Sequence, residues 1–420
     1  MSTGRLLPVL TALVLLATAT PATAATTAGD HPDNWSAAWS VAHHHPVAGN
    51  DWFGANWSVP GFADESVRQV VRVSAAGSLI RIRVSNRYGS QPLRLTGATV
   101  GRTDAGAAVR PGTLLPVTFD RRRSTTVAAG TETTSDPVLL PVRALEALTV
   151  TLYFAGATGP ATYHQDGLTS TYRATGDHRF DNRAAAFSGE TSQSWYHLAG
   201  VDVAGSPRTR GTVVTFGDSQ TDGYGSTPGA DNRYPDQLAE QLVAAGRPLA
   251  VVNAGIGGNK LLADSPCFGE RGVDRFRRDA LGQPGVRSAV VLIGINDISG
   301  GGYPDFGCGA SPTVTAADLI EGHRALIRAG RAHRVTLIGA TMPPMKGWAG
   351  YSAEKEEVRD EVNHWIRTSG AYDAVVDLDR ILADPADRDA LRPAYDHGDF
   401  LHLNDAGATA AAAAVAARIR

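Results

Sequence analysis

The chain has 420 residues, with 46 Gly, 23 Pro, 2 Cys and a formal charge of -3. That length exceeds one short domain, a composition of 43% hydrophobic and 19% charged residues argues against wholesale disorder, and two cysteines exclude a disulfide-dense scaffold. Basic and acidic side chains nearly balance and no Lys/Arg block stands out, so nothing supports electrostatic binding to nucleic acid or to an anionic membrane.

In chain order, Arg5, the apolar run Leu6 to Leu16 and the small residues Ala22-Thr-Ala24 read as a secretory signal peptide over residues 1–24, cleaved after Ala24. The run is shorter than the roughly 20 residues that span a bilayer, so no membrane anchor is expected and the mature protein is expected to be secreted. In an oxidising destination Cys267 and Cys308 are expected to form one disulfide rather than half of a metal site.

Residues 25–204 read as an all-β accessory domain, a sandwich of jelly-roll type. Short apolar–polar alternation marks Ser66–Ser74, Leu79–Ser85, Leu93–Val100 and Leu148–Phe154 as half-buried antiparallel strands, with no helical pattern between them. No catalytic constellation is visible in this half. Trp35, Trp39, Trp52 and Trp57 suit a carbohydrate-stacking platform, but core packing or docking onto the second half of the chain is the favoured reading. His43-His-His45 lacks spaced acidic or Cys ligands and is assigned to a solvent loop rather than to a metal.

Residues 205–210 form a Pro- and Arg-containing linker, after which the pattern becomes short, wholly apolar strands alternating with helices over 211–420. Strands are predicted at Thr212–Phe216, Leu249–Asn253, Ala289–Ile293, Val335–Gly339 and Ala374–Leu378, and helices at Tyr234–Ala245, Thr315–Ala332 and Ser352–Ser369. That alternation implies an α/β fold with a buried parallel sheet flanked by helices. The Ala-rich stretch Ala406–Arg420 is a packed helix, capped by Asn404 or Asp405.

The first of these strands ends in Gly217-Asp-Ser219, a tight turn that exposes Ser219 at the carboxyl edge, where open α/β sheets bind ligands. Alone, such a tripeptide is a turn. Three further polar or Gly-containing turns share that edge: Asn253-Ala-Gly-Ile-Gly-Gly-Asn259, Gly294-Ile-Asn-Asp297 and Asp399-Phe-Leu-His402. Their order and spacing over 211–420 resemble the four signature blocks of the SGNH hydrolase superfamily, the GDSL lipases and esterases, with a flavodoxin-like sheet. The resemblance implies Ser219 as nucleophile, His402 as general base oriented by Asp399, and an oxyanion hole of the Ser219 N–H, Gly258 and Asn296. Chemically, a serine hydroxyl needs an imidazole to take its proton, a carboxylate to fix the imidazole tautomer, and donors aimed at the oxyanion. Gln220 stands where the name-giving motif has Leu. Gly255 and Gly257 compete with Gly258, which is chosen for its distance from Asn253, and Asp396 competes with Asp399.

Trp35-Ser-Ala-Ala-Trp39, Val67-Arg-Gln-Val-Val-Arg-Val-Ser74 and Arg83-Val-Ser-Asn-Arg-Tyr-Gly89 resemble the front domain of a group of secreted bacterial GDSL-like acylhydrolases. No serine has Gly two positions before and two after it, and no H-E-x-x-H or C-x-x-C occurs, which disfavours α/β-hydrolase and metal-dependent chemistry. The expectation is a monomeric, secreted serine esterase that needs no cofactor or metal. Its partner would be a small-molecule or carbohydrate ester such as an O-acetylated sugar. The alternatives are a lysophospholipase or thioesterase, and a carbohydrate-binding protein with a vestigial hydrolase half.

Overall fold

The computed structural model describes residues 1, 35–49, 56–206, 208–299, 308 and 312–419. Of the expected signal peptide only Met1 is among them, and Trp52 lies outside the described residues. Among the described residues no helix is long and apolar enough to cross a membrane.

Two large antiparallel sheets, with two two-stranded ones beside them, occupy the first half. One runs in the order Thr191–Ser192, Thr171–Thr175, Glu65–Val73, Glu146–Phe154, Gly97–Arg102, Leu115–Val117. The other runs Ser36–Ser40, Leu198–Ala204, Gly77–Ser85, and both Glu132–Thr134 and Val138–Val142 pair with the last of these. Because side chains alternate across a strand, Val67, Val71 and Val73 of one sheet meet Ile80, Ile82 and Val84 of the other in a single core. Trp39 and Trp57 are buried in that core against Trp195 and Tyr196, so neither belongs to a surface platform. The single strand expected over Leu93–Val100 divides at Thr96. Leu93–Leu95 pairs with Thr125–Val127, and the Arg179 guanidinium reaches the Thr96 carbonyl beside Gly97, where it fills the space of a side chain.

The second half holds a five-stranded parallel sheet in the order Ala250–Gly255, Thr212–Gly217, Val286–Leu292, Thr336–Ala340, Ala374–Val376. Its strands read as continuous apolar runs because both faces are covered. Val213, Val251 and Val290 face the helices Tyr234–Ala244 and Asp405–Ala416. Val214, Phe216, Val252 and Val291 face the opposite layer, which includes Ala316–Ala332 and Ala353–Thr368. The Ala-rich helix is capped by Asn404, whose side chain accepts the Gly407 N–H at 3.0 Å, and its fully buried Ala411 and Ala412 allow close approach to the sheet. The chain starts at Thr212–Gly217, steps to one side and then returns to the other. The carboxyl ends of Thr212–Gly217 and Val286–Leu292 therefore flank a topological switch point, the place where such sheets bind ligands.

Residues Asn34–Arg420 make one compact unit in which the two halves are bonded directly. The Ala37 N–H donates to Pro284 O at 3.0 Å, and the Val251 N–H donates to Ser74 Oγ at 2.9 Å. His43 and His44 are buried rather than in the expected solvent loop. Burial, and then the charge of His164, push the His44 imidazole down to about 3, and its ring packs 4.5 Å from that of Tyr163.

Cys267 and Cys308 form the expected disulfide, with Cα atoms 5.5 Å apart and a sequence separation of 41. Loop-closure entropy for a ring of that size corresponds to about 4 kcal/mol. Guanidinium unfolding of a Cys267→Ala/Cys308→Ala double variant is expected to show a loss approaching that figure, and addition of reductant should then leave its midpoint unchanged.

Candidate active site

The strand Thr212–Gly217 delivers the chain into Asp218, whose carboxylate caps the short helix Ser219–Asp222 by accepting the Gln220 N–H at 3.1 Å. Ser219 thus occupies the first helical position, where the N–H has no intrahelical acceptor and is free to face a ligand. Its side chain points out of the carboxyl edge while the residue stays 7% exposed.

Ser219 Oγ lies 2.8 Å from His402 Nε2, and His402 Nδ1 lies 2.6 Å from Asp399 Oδ2. The other Asp399 oxygen accepts the N–H groups of Leu401 and His402 at 3.0 and 2.8 Å. Burial would raise the Asp399 carboxyl, but the hydrogen bond and charge of His402 and these two N–H groups hold it well below the usual carboxylate range. The carboxylate stays ionised and keeps the Nδ1–H tautomer, which leaves Nε2 to accept from the serine. Tyr224 packs against the imidazole, with ring centres 4.6 Å apart. Gln220, the departure from the GDSL pattern, ties the two segments together by donating to Leu401 O at 2.6 Å. Asp396, the rival carboxylate, instead accepts the N–H groups of Gly398 and Phe400 and shapes the turn before His402.

The three competing glycines each have a separate reason to lack a side chain. A Cβ on Gly255 would meet the Asp222 backbone N at 2.3 Å, and one on Gly257 would meet Asp166 Oδ2 at 2.6 Å. Gly258 has φ +69°, and a Cβ there would come 2.4 Å from the Phe268 ring. Asn296 donates one amide hydrogen to Asn259 O at 3.1 Å, which anchors it to the same loop and leaves its second hydrogen for another acceptor. Below the edge, fully buried Arg275 donates to Gly217 O at 2.6 Å, Ala254 O at 2.9 Å and Asn259 Oδ1 at 2.9 Å. Buried Asp297 accepts the N–H groups of Leu261 and Leu262, and burial pushes its carboxyl up to about 6.

Ser219, His402 and Asp399 therefore form one hydrogen-bonded chain, with Gly258 and Asn296 on the loops beside it. Away from it, the carboxylates of Glu356, Asp360 and Asp389 lie close enough to hold a cation, but the Arg359 guanidinium already pairs with the first two.

Sequence reasoning missed the residues behind the site. Arg275 lies in an unremarkable helical stretch. His164 and Asp166 come from the half in which no catalytic constellation was visible, yet His164 reaches Asp222 and Asp166 packs on Gly257. Their one signal is the titratable pair His164-Gln-Asp166 in a segment without strand alternation.

Residues 215–410 match the model of the GDSL-like lipase/acylhydrolase family. No curated protein matches the chain. Among solved structures, an acetyl xylan esterase is 20% identical and covers 50% of this chain and 100% of its own, with a TM-score of 0.39. A lipase/acylhydrolase from Enterococcus faecalis is 22% identical over 50% of this chain and 94% of its own, with a TM-score of 0.36. A GDSL-like lipase from Bacteroides thetaiotaomicron is 14% identical over 50% of this chain and 87% of its own, with a TM-score of 0.37.

Substituting Gly258→Ala forces the Phe268 ring and a left-handed backbone position to give way together. Turnover of an activated ester is expected to fall about 10²-fold as the Gly258 backbone is displaced, and steady-state kinetics beside a thermal melt will check this.

Proposed function

Because residues 215–410 belong to the GDSL-like lipase/acylhydrolase family and the chain is a carboxylic ester hydrolase, we propose that it cleaves its ester through an acyl intermediate on Ser219. The hydrogen-bonded chain Ser219–His402–Asp399 carries this reading. Ser219 Oγ attacks the acyl carbon as its proton passes to His402 Nε2, and the carbonyl oxygen becomes an oxyanion. That charge is held by the Ser219 N–H, the Gly258 N–H and the second amide hydrogen of Asn296. His402 then protonates the leaving alcohol, the acyl-enzyme forms, and a water activated by His402 releases the acid. None of these steps requires a metal or a cofactor.

We further infer that the substrates are small acyl esters, O-acetyl groups on carbohydrates among them. Phe400 supports this choice. It lies between Asp399 and His402, is 51% exposed, and holds a left-handed φ of +63° that a bulky side chain rarely adopts. The Asp396 carboxylate keeps it there, and its ring lies over Gly347. An exposed ring two residues before the proposed general base His402 offers a flat face on which a pyranose can stack. The intact hydrogen-bonded chain also favours an enzyme over a carbohydrate-binding protein with a vestigial hydrolase half. Export is part of the proposal, supported by the amino-terminal pattern of residues 1–24 and by the disulfide.

Ser219→Ala is expected to lower ester turnover about 10⁴-fold or more and to abolish fluorophosphonate labelling; full retained activity would overturn the mechanism. Phe400→Ala is expected to raise KM for an acetylated oligosaccharide several-fold while p-nitrophenyl acetate hydrolysis stays within about twofold. A strong preference for decanoate over acetate would point to the lysophospholipase or thioesterase reading.

A further inference from the structure

Both ring nitrogens of His164 face oxygen. Nδ1 lies 2.9 Å from the Ala42 carbonyl, which only accepts, so this nitrogen carries a proton. Nε2 lies 3.0 Å from Asp222 Oδ1, and both side chains are 2% exposed. The contact is an ion-pair distance rather than an aligned hydrogen bond, yet a bare lone pair on Nε2 would still face an Asp222 oxygen in a site shielded from water, so the ring is assigned as the imidazolium.

The environment agrees with that assignment. Burial alone would lower the imidazole, but the charge and contact of Asp222, the Ala42 carbonyl and the charge of Asp166 hold it above its ordinary value. Asp222 and Asp166 face it as acids, and His43 and His44 as neighbouring imidazoles. The charge of Arg233 also acts on Asp222, and Trp195 stacks on the His164 ring at 5.6 Å.

The second Asp222 oxygen, Oδ2, accepts the Gly257 N–H at 2.9 Å. Asp222 is also the last residue of the helix that begins at Ser219. One carboxylate therefore joins the first-half histidine, the serine helix and the N–H of the residue immediately before Gly258. Asp166 closes the other side of Gly257, leaving no room for a Cβ.

We propose that His164 is a positioning residue of the hydrolase: by holding the Asp222 carboxylate on the Gly257 amide, it fixes the Gly257–Gly258 backbone and aims the Gly258 N–H at the oxyanion. This rests on the oxyanion-hole reading above. It makes the β half part of the active centre rather than an accessory. An N–H aimed at the oxyanion acts in the transition state and not on bound ester, so its misplacement lowers kcat and leaves KM.

The test compares His164→Phe and His164→Gln with the wild type on p-nitrophenyl acetate, with rates expressed per active site titrated by a fluorophosphonate. His164→Phe keeps the stack on Trp195 but has no N–H for Asp222. Its kcat per titrated site is expected to fall about 10²-fold with KM within about twofold, and its affinity for an alkylboronic acid, which forms a tetrahedral adduct, should fall in parallel. His164→Gln keeps a donor and should recover part of the loss. The sign of the pH effect follows from the raised imidazole: wild-type kcat is held at neutral pH and declines on the alkaline side as His164 loses its proton, a limb absent from both variants. If His164→Phe does not fold, His164→Gln and Asp222→Asn carry the same comparison. A titrated kcat within about twofold of wild type in the folded variants, a loss confined to KM, or an unchanged alkaline limb would overturn the proposal. Wild-type protein that no fluorophosphonate labels would instead sink the Ser219 reading before any variant is compared, and this proposal with it.

Discussion

Behind the carboxyl edge of the parallel sheet a single guanidinium, that of Arg275, joins the ends of two neighbouring strands and the loop that leaves one of them. It donates to Gly217 O, Ala254 O and Asn259 Oδ1 while fully buried, with the Phe216 ring 4.2 Å away and Asp279 at 3.3 Å as its counter-charge. Gly217 O also accepts the Ile256 N–H at 3.2 Å, and in a dry interior the guanidinium serves the remaining lone pair of such strand-end carbonyls. A planar fork meets several of them at fixed angles, which a lysine cannot do. Because Gly217 precedes the serine turn and Ala254 precedes the Gly257–Gly258 loop, the same group sets the register between the proposed nucleophile and the proposed oxyanion donors. Asn259 passes the constraint on, with its carbonyl accepting from Asn296 and its amide donating to Phe268 O and Glu270 O.

The carboxylates around this edge divide by environment. Asp218, Asp222 and Asp297 are buried and accept backbone N–H groups, so they shape turns. Burial pushes Asp218 up to about 7 and Asp297 up to about 6. Asp399 is partly open to solvent, bonded to His402 and held low. One residue type thus does two kinds of work, and solvation with hydrogen bonding decides which.

The parallel sheet was legible because strands buried on both faces must be apolar throughout, as in Val213-Val and Val251-Val, and helix spacing between them leaves few topologies. The sheets of the first half were legible from alternation, except at Thr96, where the strand divides and Arg179, 83 residues away in the chain, bonds its carbonyl. The turns of Ser219, Gly258 and Asn296 could be read because each sits just after a strand and carries a chemically recognisable pattern, whereas Asp399-Phe-Leu-His402, well beyond the last strand Ala374–Val376, was read from its residue types. His43 and His44 could not be placed, since a histidine run has no periodicity to tell an interface from a loop.

By itself the sequence determined an α/β half following a β half, four polar turns on one sheet edge, and the pairing of two cysteines. These follow from local periodicity, turn chemistry and residue type, which are properties of short segments. Only the tertiary structure decided that Asp399 rather than Asp396 meets His402, that Arg275 registers two strand ends, and that His164 of the first half grips Asp222 of the second. These contacts join residues from 3 to 58 positions apart, and the buried ones draw their strength from the removal of water as the elements pack. No short segment encodes that desolvation, so no pattern in the chain announces it.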